Sequence, residues 1–306
     1  MSIEEPMSVA GTKQGVPNAE VEIDVALVHT LLAEQHPDLA DLSLRLVETG
    51  WDNVMLRLGD ELAVRLPRRA LAATLIEHEQ RWLSELAPHL PLPVPVPLRI
   101  GLPGAGYPWR WSVLRWLEGT AADLALPNAD QGPALAGFLQ ALHQPAPADA
   151  PPNPVRGIPL QERLPAISER LQRVACLTDC ITPAVRACWE QALSAPIDAD
   201  PTWLHGDLHS RNVLVQDGAL SAVIDWGDMT RGDRATDLAA IWTLLPDSTS
   251  RATAIQAYGP TPEATWQRAR GWAVAFGVML LDSGLVNDPR LAKAGEITLR
   301  RITEGP

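Results

Sequence analysis

The stretch WLHGDLHSRNVLVQDGALSAVIDWGD, Trp203–Asp228, decides how the rest of the chain is read. NVLV and LSAVI are short apolar runs of strand length. Asp217-Gly218 between them is a strong signal for a tight hairpin turn. Such a hairpin carries the chain back on itself, so Asp225 returns beside Asn212. Asp207 precedes Asn212 by five residues, on a loop where both can face one cleft.

Three polar side chains thereby converge, and their chemistry is specific. Transfer of a γ-phosphoryl group needs a carboxylate near the acceptor hydroxyl and magnesium to neutralise the β- and γ-phosphates. Mg2+ prefers hard oxygen ligands in an octahedral shell. Asn212 offers an amide oxygen and Asp225 a carboxylate. The run His205-Gly206-Asp207-Leu208, then Asn212, then Asp225-Trp226-Gly227 fits the kinase pattern H-R-D-L-x-x-x-N followed by D-F-G. Gly206 and Trp226 replace its Arg and Phe. One aspartate alone would read as a turn residue; the joint pattern of strand, loop, hairpin and loop carries the kinase reading.

Outward from this stretch, residues 24–36 show helical spacing of Val25, Leu27, Val28, Leu31 and Leu32, with Asp24 as N-cap. LSLRLVETG, NVMLRLGD and LAVRLP, separated by turn signals, predict three strands of an antiparallel meander. A helix is expected over 70–87, ended by Pro88. Prolines 91, 93, 95 and 97 form an extended stretch leading into a strand at LRI, and WRWSVLRW gives another. The remainder reads as mainly helical, with helices over 130–143, 160–176, 183–194, 234–245, 261–282 and 287–302. PAPADAPPNPVRGIP between them reads as a proline-rich surface loop.

Composition sets outer bounds. The chain has 306 residues, 46% hydrophobic and 20% charged, with net charge -12. A nucleic-acid partner would call for a basic stripe, and RLPRR at 65–69 is the densest basic cluster. No apolar run approaches the roughly 20 residues that span a bilayer, so no membrane partner is expected. Cys176, Cys180 and Cys188 lack nearby histidines and read as free thiols rather than a zinc site. A cytoplasmic location is expected.

The segment HGDLHSRNVLV…VIDWGD…GDRATDLA resembles the aminoglycoside and macrolide phosphotransferases. Those families show H-G-D-x-x-x-x-N, then I-D-W/F-G-D, then G-D-x-x-x-D-L-A. The likeness extends through GWDNVMLRLGDELAVRLPRR, WSVLRWLEG and ATWQRARGWA, covering most of residues 45–282. It implies an α+β, protein-kinase-like fold with a nucleotide cleft between two lobes. Residues 21–116 would form a small N-terminal lobe of antiparallel sheet plus helix. Residues 117–306 would form a larger helical lobe, and residues 1–20 a flexible tail.

The resemblance also implies roles. Asp207 would be the catalytic base, and Asn212 and Asp225 the magnesium ligands. Arg115, Trp116 and Leu117 would form the hinge, pairing with the purine edge of ATP or GTP. The turn Thr49–Asn53, with Gly50 and Asn53, would cover the phosphates, although it keeps a single glycine. Kinases place a lysine on the following strand; here Arg65 takes the phosphate role, since a guanidinium binds phosphate in forked geometry. Its partner is expected on the next helix, with Glu79 favoured over Glu77 because it shares a face with Leu75, Trp82 and Leu83. Asp237 would brace the catalytic loop from behind while also capping a helix, and His205 would support the loop backbone.

The acceptor, a small molecule, is expected between the catalytic loop and the helices at 130–143, 160–194 and 261–282. Asp228, Asp233 and Asp282 are the candidate contacts. A polycationic aminoglycoside needs several carboxylates near Asp207, whereas a macrolide needs an apolar pocket. Trp189, Trp266, Trp272, Phe276 and Met279 sit at helical spacing, which fits core as well as pocket. The leading reading is an aminoglycoside-type antibiotic kinase. A macrolide kinase, or a kinase for another hydroxylated metabolite, is the alternative on the same fold. A catalytically silent binding module stands against intact Asp207, Asn212 and Asp225.

Overall fold

Asp24 accepts from the Leu27 N–H and opens α1 (Val25–Gln35), which buries Val28, Leu31 and Leu32. These coordinates are a computed structural model describing residues 18–305. Residues 1–17 of the expected tail lie outside the described residues. At its end, Glu20 is fixed: its N–H donates to the Arg68 carbonyl at 2.9 Å, and its carboxylate accepts from the Ala70 N–H.

The expected meander forms as β1 (Leu44–Thr49), β2 (Asn53–Leu58) and β3 (Leu62–Pro67), paired antiparallel. Along β2, Val54, Leu56 and Leu58 are buried while the residues between are half-exposed, the period of two that pleating dictates. After α2 (Ala70–Leu86), β4 (Pro97–Gly101) and β5 (Trp111–Arg115) complete the sheet in the order β1-β2-β3-β5-β4. Leu31, Leu56, Val64, Leu66, Trp111 and Val113 form its core against α1. Trp82 and Leu83 on α2 instead join the core of the helical lobe, tying the two lobes together.

The second lobe begins with β6 (Thr120–Ala121), α3 (Gly132–Leu142), α4 (Leu160–Leu177) and α5 (Pro183–Ser194). Next come β7 (Thr202–Leu204), β8 (Val213–Gln216), β9 (Ala219–Val223) and β10 (Thr230–Gly232). Then follow α6 (Ala235–Leu238), α7 (Ala240–Leu244), α8 (Ser248–Tyr258), α9 (Glu263–Asn287) and α10 (Pro289–Thr303). The lobe packs around α9, which contacts α4, α5, α6, α7 and α10.

Four expectations need correction. The helix expected over 234–245 divides into α6 and α7 at Ala239. The helix α8 went unread because STSRATAIQAY has no continuous apolar stripe; Asp247 and Ser250 start it with a reciprocal capping box. The helix α9 is long and apolar enough by composition to span a membrane, but two thirds of its apolar window is buried inside the fold. It is the central core helix.

The fourth correction concerns the proline-rich segment, which is folded into the molecule. Ala150 and Pro151 are buried, and Thr230 Oγ1 donates to the Pro151 carbonyl at 2.8 Å. The Asp233 N–H donates to the Gly157 carbonyl at 3.0 Å. Gly157 adopts φ +67°, and a Cβ there would press on Leu204 and Gly232. A Cβ on Gly232 would collide with the Gly157 backbone. Gly232→Ala should therefore cost about 1–3 kcal/mol, the range for overpacking. Urea melts should show the loss; an unchanged midpoint would mean that this close approach is not required.

Candidate active site

The loop between β7 and β8 holds the first residues. His205 is fully buried, and three contacts fix it. Its N–H donates to Asp237 Oδ2 at 2.6 Å, and its Nδ1 accepts from the Asp207 N–H at 3.2 Å. Nδ1 as acceptor leaves the ring proton on Nε2, which meets the Ile224 carbonyl at 2.9 Å. The Gly206 N–H donates to Asp237 Oδ1 at 2.9 Å. Gly206 itself sits at φ +85°, against the Asp228 carbonyl, where a side chain has no room. Asp237, with no exposed surface, thus holds two successive amides of the loop.

Asn212 and Asp225 meet across the hairpin of β8 and β9. Val213 pairs with Val223, and the Ile224 N–H donates to the Asn212 carbonyl at 2.9 Å. Asn212 Nδ2 donates to the Asp207 carbonyl at 2.9 Å and to Asp207 Oδ2 at 3.2 Å, which turns its amide oxygen the other way. Asp225 is left-handed, at φ +61° and ψ +69°. For a non-glycine residue this stores strain of the kind that collects at functional sites. The strain aims a half-exposed carboxylate at the cleft.

Arg65 crosses from β3 to this carboxylate. Its Nη1 lies 2.8 Å from both Glu79 oxygens, and its Nη2 donates to Asp225 Oδ1 at 2.8 Å. With its amide oxygen turned toward Arg65, Asn53 accepts from Nη2 at 2.8 Å. Burial works against the Arg65 charge, but Glu79 and Asp225 outweigh it and raise its affinity for the proton. Burial pushes Glu79 up to about 7 against the pull of Arg65. The two short contacts are those of a carboxylate accepting from a guanidinium. Glu77, the competitor, stands on the surface near Arg110.

The phosphate turn and hinge are more particular than expected. The Gly50 N–H donates to the Asn53 carbonyl at 2.9 Å, and Arg68 and Arg69 hold Gly50 and Asp52 from the end of β3. At the hinge the Trp116 N–H is already given to the Glu61 carbonyl at 2.7 Å. The Leu117 N–H has no backbone partner among the described residues.

Asp207 has partners that sequence reasoning missed. Arg156, from the proline-rich segment, donates Nη2 to Asp207 Oδ1 at 2.7 Å. His209 Nε2 lies 3.3 Å from Asp207 Oδ2. Burial would raise the Asp207 carboxyl, but Arg156 and then His209 outweigh it and hold it well below the usual carboxylate range. The only signal for Arg156 was an asparagine and an arginine in NPVRG, and no periodicity says where a loop side chain points.

The three acidic acceptor candidates part company. Asp228 stays beside the catalytic loop, where Asn153 Nδ2 donates to it at 2.7 Å; burial, with Asp207 nearby, raises its carboxyl. Asp233 is buried against Arg268, whose Nε donates to it at 2.6 Å, and it accepts from the Ala235 N–H at the start of α6. Asp282 accepts from Arg170 at 3.0 Å and from Arg173 at 2.7 Å. Asp233 and Asp282 are thus both paired with arginines. Trp189, Trp266 and Trp272 are core, while Phe276 and Met279 lie against Arg156.

Comparison with known proteins agrees with this geometry. The family model described as the phosphotransferase enzyme family matches residues 43–272. The curated proteins give no match. The chain is similar to the GDP complex of wild-type aminoglycoside 2'-phosphotransferase-IIIa, with TM-score 0.67 at 17% identity over 90% of this chain and 97% of that one. It is similar to the GDP and kanamycin complex of an APH(2") enzyme, with TM-score 0.65 at 19% identity over 90% and 98%. Macrolide 2'-phosphotransferase MphH from Brachybacterium faecium gives TM-score 0.59 at 23% identity over 90% and 97%. At such identities the likeness establishes the fold, a sheet lobe over a helical lobe. The family match spans the sheet, the catalytic loop and the first part of α9, and on that ground this chain belongs to the phosphotransferase enzyme family.

Proposed function

We propose that this chain transfers the γ-phosphoryl group of ATP or GTP to a hydroxyl of a small molecule in the cleft between its lobes. The observation that carries the reading is the convergence of Asp207, Asn212 and Asp225, clamped by the Ile224 to Asn212 backbone bond. With Asp207 as base, the acceptor oxygen forms a bond to the γ-phosphorus as the β–γ bridging bond breaks. The hydroxyl proton passes to the Asp207 carboxylate, and the nucleoside diphosphate leaves. With the lobe boundary between residues 116 and 117, the Leu117 N–H, without a backbone partner among the described residues, would be the donor to the purine edge.

The residues present suit Mg2+. Asn212 keeps its amide oxygen free because both of its N–H donations go to Asp207. Asp225 offers its second oxygen beside the one bonded to Arg65. Two protein oxygens with phosphate and water completing the shell suit magnesium, and the ion would neutralise charge on the β- and γ-phosphates. Arg65 stands where the phosphates would come, already set by Glu79.

For the acceptor, commitment of Asp233 and Asp282 to arginines removes carboxylates that aminoglycoside ammonium groups would need. That favours a hydroxylated metabolite or a macrolide over an aminoglycoside. Free cysteines and a nucleotide donor suit a cytoplasmic setting.

Asp207→Asn should lower kcat by roughly 10²–10⁴-fold, the usual worth of a positioned base, without changing ADP affinity by calorimetry. Equal turnover by wild type and variant with every acceptor tried would sink this reading.

The Arg156 contact makes a prediction about pH. Because the folded Asp207 carboxyl lies below its unfolded value, its stabilising effect is present above about pH 4 and is lost as pH falls. Arg156→Met should therefore move the acid limb of the kcat/KM profile to higher pH. It should also flatten the acid dependence of stability in urea melts. An acid limb that stays in place would show that Arg156 does not hold the base.

A further inference from the structure

Arg163 on α4 and Arg156 from the proline-rich segment meet at Met279 on α9. Arg163 Nη2 touches Met279 Sδ at 3.6 Å, and Arg156 Nη1 touches the same sulfur at 3.8 Å. Two guanidinium groups therefore meet on one thioether, and one of them already holds Asp207. Arg156 lies over the Phe276 ring, 5.1 Å from its centroid, which fixes its plane. Each guanidinium disfavours the charge on the other, and a nearby anion relieves that cost.

Arg156 is answered by Asp207 and, at 3.9 Å, by Asp228. Arg170 and Arg173 are answered by Asp282. Arg163 has no carboxylate within ion-pair distance among the described residues, and its Nε is buried without a hydrogen-bond partner. Burial lowers its affinity for the proton, Arg156 and Arg170 push the same way, and the more distant Asp228 pulls against them without reversing the direction. In a chain of net charge -12, a guanidinium without an ion-pair partner, meeting at Met279 the arginine that holds Asp207, marks a place for a ligand's negative charge.

We propose that the acceptor carries an acid group, a carboxylate or a phosphate, bound by Arg163 with the adjoining edge of Arg156, its hydroxyl lying at Asp207. The proposal rests on the kinase reading and narrows it to hydroxylated acids. Arginine suits the task, because its planar fork pairs with two oxygens of one acid group. Met279 supplies an adaptable apolar floor for the carbon skeleton between acid and hydroxyl.

The test uses the full chain with magnesium and either nucleotide. Glycerol, glycerate, glycerol 3-phosphate and kanamycin are offered as acceptors, the two acids distinguishing carboxylate from phosphate. One or both acids should be phosphorylated with kcat/KM well above that for glycerol. Arg163→Met should lower the acid rate by about 10- to 100-fold, as expected for a hydrogen bond to a charged group. Arg163→Lys should keep most of it, and glycerol turnover should be unchanged in both variants. Preference for kanamycin or glycerol, or equal loss of acid and glycerol turnover in Arg163→Met, would overturn the proposal.

Binding decides the matter even without turnover. Inorganic phosphate or acetate should raise the melting temperature of the Mg–ADP-loaded wild type more than that of Arg163→Met; equal shifts, or none, overturn the proposal. ADP calorimetry tests the kinase reading separately, since its failure removes that reading and leaves the anion comparison to decide the site.

Discussion

The catalytic loop hangs on the carboxylate of Asp237. With no exposed surface, it accepts from two consecutive amides, those of His205 and Gly206. A buried carboxylate is tolerated only when its lone pairs are used, so the loop has one conformation in which both amides are satisfied. Its position is inherited from the core. Arg268 on α9 grips Asp233, Asp233 accepts from the first amide of α6, and α6 presents Asp237. Breaking such a buried pair at one end typically costs 3–5 kcal/mol. The loop is thereby tied to the long helix around which the second lobe packs, which is how a surface loop acquires the precision that phosphoryl transfer requires.

Charge in this site is handled almost entirely by arginine. Among the 25 basic residues of the chain, only Lys13 and Lys293 are lysines. An arginine at position 65 on β3 thus follows a habit of the whole sequence. The habit has a structural consequence, because a guanidinium can answer several partners at once. Arg65 bridges Glu79, Asp225 and Asn53. Arg156 bridges Asp207 and Asp228. A lysine ammonium, a point charge on a flexible stem, would fix none of these angles.

What could be read ahead of the structure was local. The meander, the hairpin at Asp217-Gly218 and the spacing of Asp207, Asn212 and Asp225 lie within short windows, where backbone geometry nearly dictates side-chain direction. Glu79 was legible too, because helical spacing placed it on the face of Trp82 and Leu83. The helix α8 was missed because tertiary packing against α3, rather than amphipathic pattern, sustains it. His209 was passed over although it lies two residues from the base. No local rule says which histidine of a loop turns inward.

The sequence by itself determined which polar groups converge, Asp207, Asn212, Asp225 and Arg65, each in a segment whose secondary structure is locally encoded. Tertiary structure alone decided the electrostatic surroundings of that chemistry. It brought Arg156 from a proline-rich loop onto Asp207, gave Asp233 and Asp282 to arginines, and set Arg163 against Met279 with no ion-pair partner among the described residues. The reason is physical. Reactive groups are specified by identity and near spacing, whereas the sign of a pocket is a sum over side chains from distant parts of the chain, and only the folded packing fixes which of them arrive.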